Sequence, residues 1–111
     1  MKYQNVLLLL ANGFEILEAS AFIDVMGWNL EKGDNSTKLY SCGLRKEINS
    51  SFNQEFRVDC LVNEVDVDSF DALVVPGGFK NYGYYKDAYN IEFLKLIREF
   101  RSKNKTIASV C

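Results

Sequence analysis

Three short apolar runs constrain this sequence more than any other feature. They are QNVLLLLA at residues 4–11, DALVVP at residues 71–76 and TIASV at residues 106–110. Uninterrupted apolar runs of this length are typical of strands buried on both faces of a parallel sheet, because such strands have no polar face. We therefore expect three buried strands, the second of which ends at Pro76 because proline lacks the backbone donor.

Two segments between these runs have the periodicity of amphipathic helices. In residues 15–32 the apolar side chains recur at steps of three and four, and Gly33 follows as the expected C-terminal cap. Residues 90–102 have the same kind of spacing. Their apolar positions are Ile91, Leu94 and Ile97 on one face, with Phe93, Leu96 and Phe100 beside it.

The remaining segments complete an alternation of strands and helices. Residues 37–42 are predicted to form a strand, residues 51–62 a small edge strand or hairpin, and the tyrosine-rich residues 81–85 a loop. This order predicts a single α/β domain over residues 1–111, built on a doubly wound parallel sheet with right-handed crossovers.

The carboxyl ends of the three apolar strands carry the residues of greatest functional interest. These are Asn12-Gly13, Gly77-Gly78 and Cys111. In doubly wound sheets the ligand crevice lies outside the carboxyl ends of the strands. We therefore expect these residues to converge on one edge of the sheet.

Composition excludes several functional classes. The chain has no histidine, the commonest general base and a common metal ligand, and its formal charge of −2 offers no footprint for nucleic acid or an anionic membrane. Residues 6–11, the longest apolar run, are far too few to cross a bilayer. Cys42, Cys60 and Cys111 lack the spacing of a zinc or redox site. We expect a soluble cytoplasmic protein with free thiols and neither cofactor nor metal.

Cys111 is the leading candidate for chemistry. A cysteine directly after a strand of small residues lies where a strand-to-helix turn would present its sulfur, as in a nucleophile elbow. A helix after it would lower the pKa of the thiol, but that helix would have to come from residues outside this sequence. The alternative is a buried cysteine with a packing role.

Glu18 and the glycine pair are the other candidates. Glu18 lies between Leu17 and Ala19, close to the apolar face of its helix, where a partly desolvated carboxyl group could donate a hydrogen bond to a thiolate. Gly77 and Gly78 could direct backbone N–H groups at a developing oxyanion. The alternatives are a solvated helix residue and a plain turn. Packing is the default role of Cys42, Cys60, Tyr82, Tyr84 and Tyr85.

Three segments together resemble the first half of the ThiJ/PfpI superfamily, also written DJ-one/PfpI. They are VLLLLANGFEILEASAFIDVM, FDALVVPGGF and KTIASVC. The resemblance implies a flavodoxin-like fold, similar to class I glutamine amidotransferases, of which this chain is the N-terminal part. It implies that Cys111 is a nucleophile or oxidation-sensitive thiol, that Glu18 is its protonated partner, and that the backbone at Gly77 and Gly78 forms an oxyanion-type pocket.

The resemblance also implies further residues, because chains of this superfamily continue past the cysteine with a helix, often a histidine, and more strands. We expect a C-terminal fragment of the same protein to complete the domain, and a homodimer. The expected activity is attack of a Cys111 thiolate on small carbonyl or amide substrates, glyoxalase-like, deglycase-like or hydrolytic. The alternatives are a non-enzymatic redox or stress protein whose thiol is oxidised, and an inactive homologue.

Overall fold

A computed structural model describes residues 3–34 and 36–110 of the chain, so that Met1, Lys2, Asn35 and Cys111 lie outside the described residues. The strands are β1 Gln4–Leu10, β2 Thr37–Gly43, β3 Glu47–Asn49, β4 Glu55–Arg57, β5 Cys60–Leu61, β6 Ala72–Val75 and β7 Thr106–Ser109. The helices are α1 Ile16–Lys32, α2 Tyr84–Ala88 and α3 Ile91–Ser102, with short 3₁₀ turns at 51–53, 62–64, 67–69 and 80–82.

Five strands form one parallel sheet in the order β5-β2-β1-β6-β7. From β1 the chain passes through α1 to β2 on one side, and from β6 it passes through α2 and α3 to β7 on the other. The direction of winding therefore changes between β1 and β6. This confirms the predicted α/β doubly wound sheet and identifies the gap between β1 and β6 as its switch point.

The apolar run of β1 supplies both cores of the molecule. Leu8 and Leu10 pack on the face that holds α1 and the β3–β4 hairpin, whereas Leu7 and Leu9 pack on the face that holds α3. All four side chains are fully buried. Because successive side chains of a strand point to opposite faces, a strand covered on both sides must be apolar at every position.

The segment predicted as an edge strand or hairpin at 51–62 contains parts of both. An antiparallel hairpin pairs β3 with β4, and the two-residue β5 then pairs with β2 at the edge of the large sheet. The hairpin begins at Glu47, earlier than expected. Its first strand, β3, has three residues and buries only Ile48. A strand of that length has too few positions to produce a periodic pattern.

The tyrosine-rich residues 81–85 form structure where a loop was predicted. They join a 3₁₀ turn to α2, and Gly83, with φ +85°, ends the turn and begins the helix. In α3 the buried residues are Phe93, Leu96 and Phe100, whereas Ile91 is 74% exposed. The helix therefore packs on the sheet mainly through Phe93, Leu96 and Phe100. The row of apolar residues that begins at Ile91 lies farther from the sheet.

In the described part of the chain β7 is the last strand of the sheet, and it is less buried than the sequence predicted. Within residues 3–34 and 36–110 it pairs only with β6, and Ile107 and Val110 are each 37% exposed. No helix in the described part of the chain combines the length and apolar character needed to span a bilayer.

Replacing Phe93 by alanine tests which face of α3 forms the core. Because the ring is 1% exposed, Phe93→Ala should lower the free energy of unfolding by about 3–5 kcal/mol. Ile91→Ala, on the same helix turn, should change it by no more than about 0.5 kcal/mol. Urea denaturation of the two variants measures both values. Equal losses would mean that α3 packs through the other face.

Candidate functional site

Two turns meet outside the carboxyl ends of β1 and β6, at the switch point of the sheet. Phe14 and Gly78 form an isolated antiparallel bridge. The N–H of Phe79 donates to the carbonyl of Gly13 at 2.9 Å, and the N–H of Glu15 donates to the carbonyl of Gly77 at 2.8 Å. The start of α1 is thereby fastened to the Pro-Gly-Gly turn, as the predicted convergence of these strand ends requires.

The structure brings Glu18 and Gly77 together. The N–H of Gly77 donates to Glu18 Oε1 at 2.9 Å, and the Glu18 side chain is half-buried. Across residues 3–34 and 36–110, neither Glu18 Oε2 nor the N–H of half-buried Gly78 has a hydrogen-bond partner. Of the two glycine N–H groups expected to face an oxyanion, the Gly77 group is therefore occupied by Glu18, and the Gly78 group has no partner within the described part of the chain.

Glycine is required at both sides of this junction. A Cβ on Gly78 would collide with the Tyr84 ring and the carbonyl oxygen of Gly13. Gly13 itself has φ +74°, and a Cβ there would lie 2.9 Å from the carbonyl oxygens of Phe79 and Tyr82. The missing side chains let the two turns approach closely enough to hydrogen-bond. Tyr84 also contacts the Pro-Gly-Gly turn, because its hydroxyl donates to the carbonyl of Pro76 at 3.0 Å.

Asp87 holds the end of β1 from the other side. Its Oδ2 accepts the N–H of Asn12 at 2.8 Å, and Arg45 binds both of its carboxylate oxygens at 2.8 and 2.9 Å. Burial, the largest single effect, would raise the pKa of Asp87, but the hydrogen bonds from Arg45 and Asn12 and the charges of Arg45 and Lys86 together hold that pKa below its ordinary value.

A depressed pKa means that the Asp87 interaction stabilises the fold above the ordinary pKa of an aspartate. That stability is lost as the pH falls through the lower pKa of the folded state. The sequence reasoning missed this pair, since Arg45 and Asp87 lie 42 positions apart and neither belongs to a motif. The one available signal is an aspartate in a segment otherwise rich in aromatic residues.

The β3–β4 hairpin supports the same turn. The N–H of Gly13 donates to the carbonyl of Asn49 at 2.6 Å, and the N–H of Asn49 donates to Asn12 Oδ1 at 3.0 Å. The Ser51 hydroxyl donates to Glu15 Oε1 at 3.2 Å. Glu15, the residue before α1, is therefore held to the hairpin side of the turn.

The three cysteines differ in environment. Cys111 lies outside the described residues; Val110, the residue before it, donates its N–H to the carbonyl of Val75 at 3.3 Å. Cys42 and Cys60 are free thiols on neighbouring strands. Burial, with the neighbouring Cys60, raises the pKa of Cys42, and burial with the carboxylates of Glu64 and Asp59 raises that of Cys60. Both are therefore disfavoured as thiolates at neutral pH.

The composition of the site does not suggest a metal centre. Across residues 3–34 and 36–110 no three His, Cys, Asp or Glu side chains are grouped so that they could hold an ion. The polar groups at the switch point include Glu18 Oε2 and the N–H of Gly78, neither of which has a hydrogen-bond partner among the described residues.

Comparison with known families decides where this architecture belongs. The model of the DJ-1/PfpI family matches residues 4–111. The chain belongs to the DJ-1/PfpI family. The sheet described above is accordingly the flavodoxin-like sheet of that family, and the resemblance drawn from the three sequence segments is confirmed.

Individual relatives agree with the DJ-1/PfpI assignment. Protein DJ-1 homolog B of Arabidopsis thaliana is 26% identical over 107 residues, which are 96% of this chain and 23% of that protein. Drosophila melanogaster DJ-1beta superposes with a TM-score of 0.80 at 25% identity, covering 98% of this chain and 55% of the other. Oxidized Toxoplasma gondii DJ-1 superposes with a TM-score of 0.78 at 18% identity, covering 97% and 55%.

The chain matches only part of the length of each of these relatives. This DJ-1/PfpI chain spans 23% of the length of the Arabidopsis protein and 55% of each of the two solved chains. The agreement therefore concerns the part of the family fold that contains the Glu18 and Gly77 turns.

A matched pair of glycine substitutions, one inside the junction and one outside it, tests the close approach of the two turns in this DJ-1/PfpI chain. Gly78→Ala should lower the free energy of unfolding by about 1–3 kcal/mol, because its Cβ would be forced against Tyr84 and Gly13. Gly27→Ala, on α1 with nothing within 4 Å of the added Cβ, should raise it by about 0.5–1 kcal/mol. Thermal denaturation compares the two. A Gly78→Ala variant as stable as the parent would contradict the close approach of the two turns.

Proposed function

We propose that this DJ-1/PfpI protein uses Cys111 as a nucleophile toward small carbonyl compounds, in glyoxalase-like or deglycase-like chemistry or as a cysteine-dependent hydrolase. The observation that supports the proposal is the Glu18–Gly77 contact. It fixes a carboxyl group at the switch point, with Oε1 held by the Gly77 N–H and Oε2 without a partner among the residues that the structure describes. Cys42 and Cys60 are disfavoured as thiolates, which leaves Cys111 as the candidate nucleophile.

The proposed step on a 2-oxoaldehyde needs no oxidant, because the overall reaction adds water and yields a 2-hydroxy acid. The thiolate sulfur forms a bond to the aldehyde carbon, and the carbonyl oxygen takes a proton. A base then removes the hydrogen on that carbon as a proton and delivers it to the neighbouring carbonyl carbon, while the proton of the new hydroxyl group passes to the oxygen of that neighbouring carbonyl. The product is the thioester of a 2-hydroxy acid, and water hydrolyses it to release the acid and the Cys111 thiol. Glu18 Oε2 is proposed to carry the proton, and the N–H of Gly78 to bind the carbonyl oxygen.

A second candidate is a redox role for the same thiol. A Cys111 thiolate would take one oxygen from a peroxide, giving a sulfenic acid while the rest of the peroxide leaves as water or an alcohol. The solved Toxoplasma gondii DJ-1 structure is described as oxidized, which supports this alternative for a protein with a similar fold. A sensor of this kind would react once per molecule and would turn over no substrate.

The expected partners stay predictions, and two exposed surfaces support them. On α1, Leu17, Val25 and Trp28 are 79, 63 and 59% exposed along one side of the helix, which suits contact with a second copy in a homodimer. The side of β7 that has no strand partner in the described residues would suit pairing with a further strand of the same protein. We propose a cytoplasmic location, which free thiols favour.

Turnover of methylglyoxal by paired variants tests the proposal. Cys111→Ser should reduce it to the background rate. Glu18→Gln should lower kcat by about 100-fold, because the amide can still accept the Gly77 N–H but cannot transfer a proton. Cys60→Ser and Glu31→Gln, an exposed acid on the same helix, are the matched controls and should retain full activity.

The same variants separate the two candidate functions. A redox sensor would give no turnover in any of them, while peroxide would add about 16 or 32 Da to Cys111 in peptide mass spectra. Methylglyoxal turnover that survives Cys111→Ser would contradict the nucleophile assignment.

A further inference from the structure

An exposed group of three aromatic side chains adjoins the switch point. Phe52, Phe79 and Tyr82 form this aromatic cluster, with Phe52 62% and Phe79 43% exposed. The centroid of the Phe52 ring lies 5.7 Å from that of Phe79 and 5.6 Å from that of Tyr82, in edge-to-face arrangements. The cluster lines a cavity of about 380 Å³ together with Lys80 and Asn81. This volume is in the range of small-molecule sites.

The backbone presents Phe52 outward at an energetic cost. Phe52 has φ +64° and Asn53 φ +60°, a conformation that favours glycine and costs a bulky residue roughly 1–3 kcal/mol. The preceding Ser50 and Ser51 are fully buried, and the N–H of Ser51 donates to the carbonyl of Phe14 at 2.8 Å. A firmly anchored hairpin turn therefore holds the Phe52 ring against Phe79 and Tyr82, with most of the ring still exposed to solvent.

The cluster has a fixed relation to the proposed reaction site. Phe79 directly follows Gly78, whose N–H has no partner in residues 3–34 and 36–110, and the N–H of Phe79 donates to the carbonyl of Gly13. Phe52 directly follows Ser51, whose hydroxyl donates to Glu15 at the start of the helix that carries Glu18. The lining residues are therefore connected, by one peptide bond at Gly78 and through the Ser51–Glu15 hydrogen bond, to both elements that supply the polar groups of the site.

The lining restricts what the cavity would bind. Three aromatic rings also suit a cation, but the only charged group of the lining is the ammonium of Lys80, which would repel one. Aromatic edges and faces attract another planar ring in offset or edge-to-face geometry. The lining therefore favours an uncharged or anionic aromatic group.

From these observations we infer that the aromatic cluster is a specificity subsite for an aryl group beside the reacting carbonyl, so that aromatic 2-oxoaldehydes are preferred to methylglyoxal. This inference rests on the proposed function for the carbonyl chemistry. The subsite itself is a binding property that can be measured without turnover.

Phe52→Gly is the most direct test, because glycine accepts a positive φ and the fold should be retained. Relief of the strained backbone should leave the variant at least as stable as the parent. Its kcat/KM for phenylglyoxal relative to methylglyoxal should fall about five- to tenfold, mostly through KM. Phe79→Ala should shift the ratio in the same direction. Tyr89→Ala, which removes a 70% exposed ring outside the cavity, is the matched control and should leave it unchanged.

A binding measurement keeps the subsite testable if neither aldehyde is turned over. The probes are 2-hydroxyacetophenone and hydroxyacetone, which differ in a phenyl and a methyl group, with dissociation constants from ligand-observed NMR. The parent should bind the aryl probe several-fold more tightly, and Phe52→Gly should lose that preference. Equal affinities in the parent would overturn the inference. So would a change of sedimentation coefficient in Phe52→Gly with unchanged probe binding, since a second copy would then be what covers the cluster.

Discussion

The close approach of two glycines, Gly13 and Gly78, underlies the functional edge of this molecule. Because neither carries a side chain, the turns after β1 and β6 hydrogen-bond to each other, and α1 begins in register with the Pro-Gly-Gly turn. That register brings Glu18, in the first turn of the helix, to the Pro-Gly-Gly turn, where its Oε1 lies 2.9 Å from the Gly77 nitrogen. With a larger residue at Gly78 the carboxyl group and the glycine pair would belong to separate parts of the surface.

Two sets of polar contacts, here called supports, hold the backbone at this junction. The Arg45–Asp87 pair holds the end of β1 from the α2 side, and Asn49 of the hairpin holds it from the other. Both supports act on the backbone of Asn12 or Gly13 rather than on Glu18. Among the described residues, Glu18 Oε2 and the N–H of Gly78 therefore have no structural contact, which leaves the N–H available to donate to a substrate oxygen and the carboxyl group available to exchange a proton with it.

Sequence periodicity predicted the parts of the fold where many side chains share one environment. The run in β1 and the spacing in α1 were sufficient, since each repeats its pattern over several positions. The β3–β4 hairpin was placed too late, because its turn at Phe52 has a positive φ without the glycine that normally signals one. The strand ends at Asn12-Gly13 and Gly77-Gly78 were predicted to converge, but the hydrogen bond from the Gly77 N–H to the Glu18 carboxyl group depends on a register that no local pattern encodes.

The hydrogen bond from Gly77 to Glu18 is tested most directly by amide hydrogen exchange, residue by residue, at the glycine pair. In the parent protein, the amide of Gly77 should exchange slowly and that of Gly78 fast. In Glu18→Ala, exchange at Gly77 should become faster while exchange at Gly78 stays the same. Equal protection of both glycines, or a Gly77 rate that does not respond to the loss of the carboxyl group, would contradict this hydrogen bond.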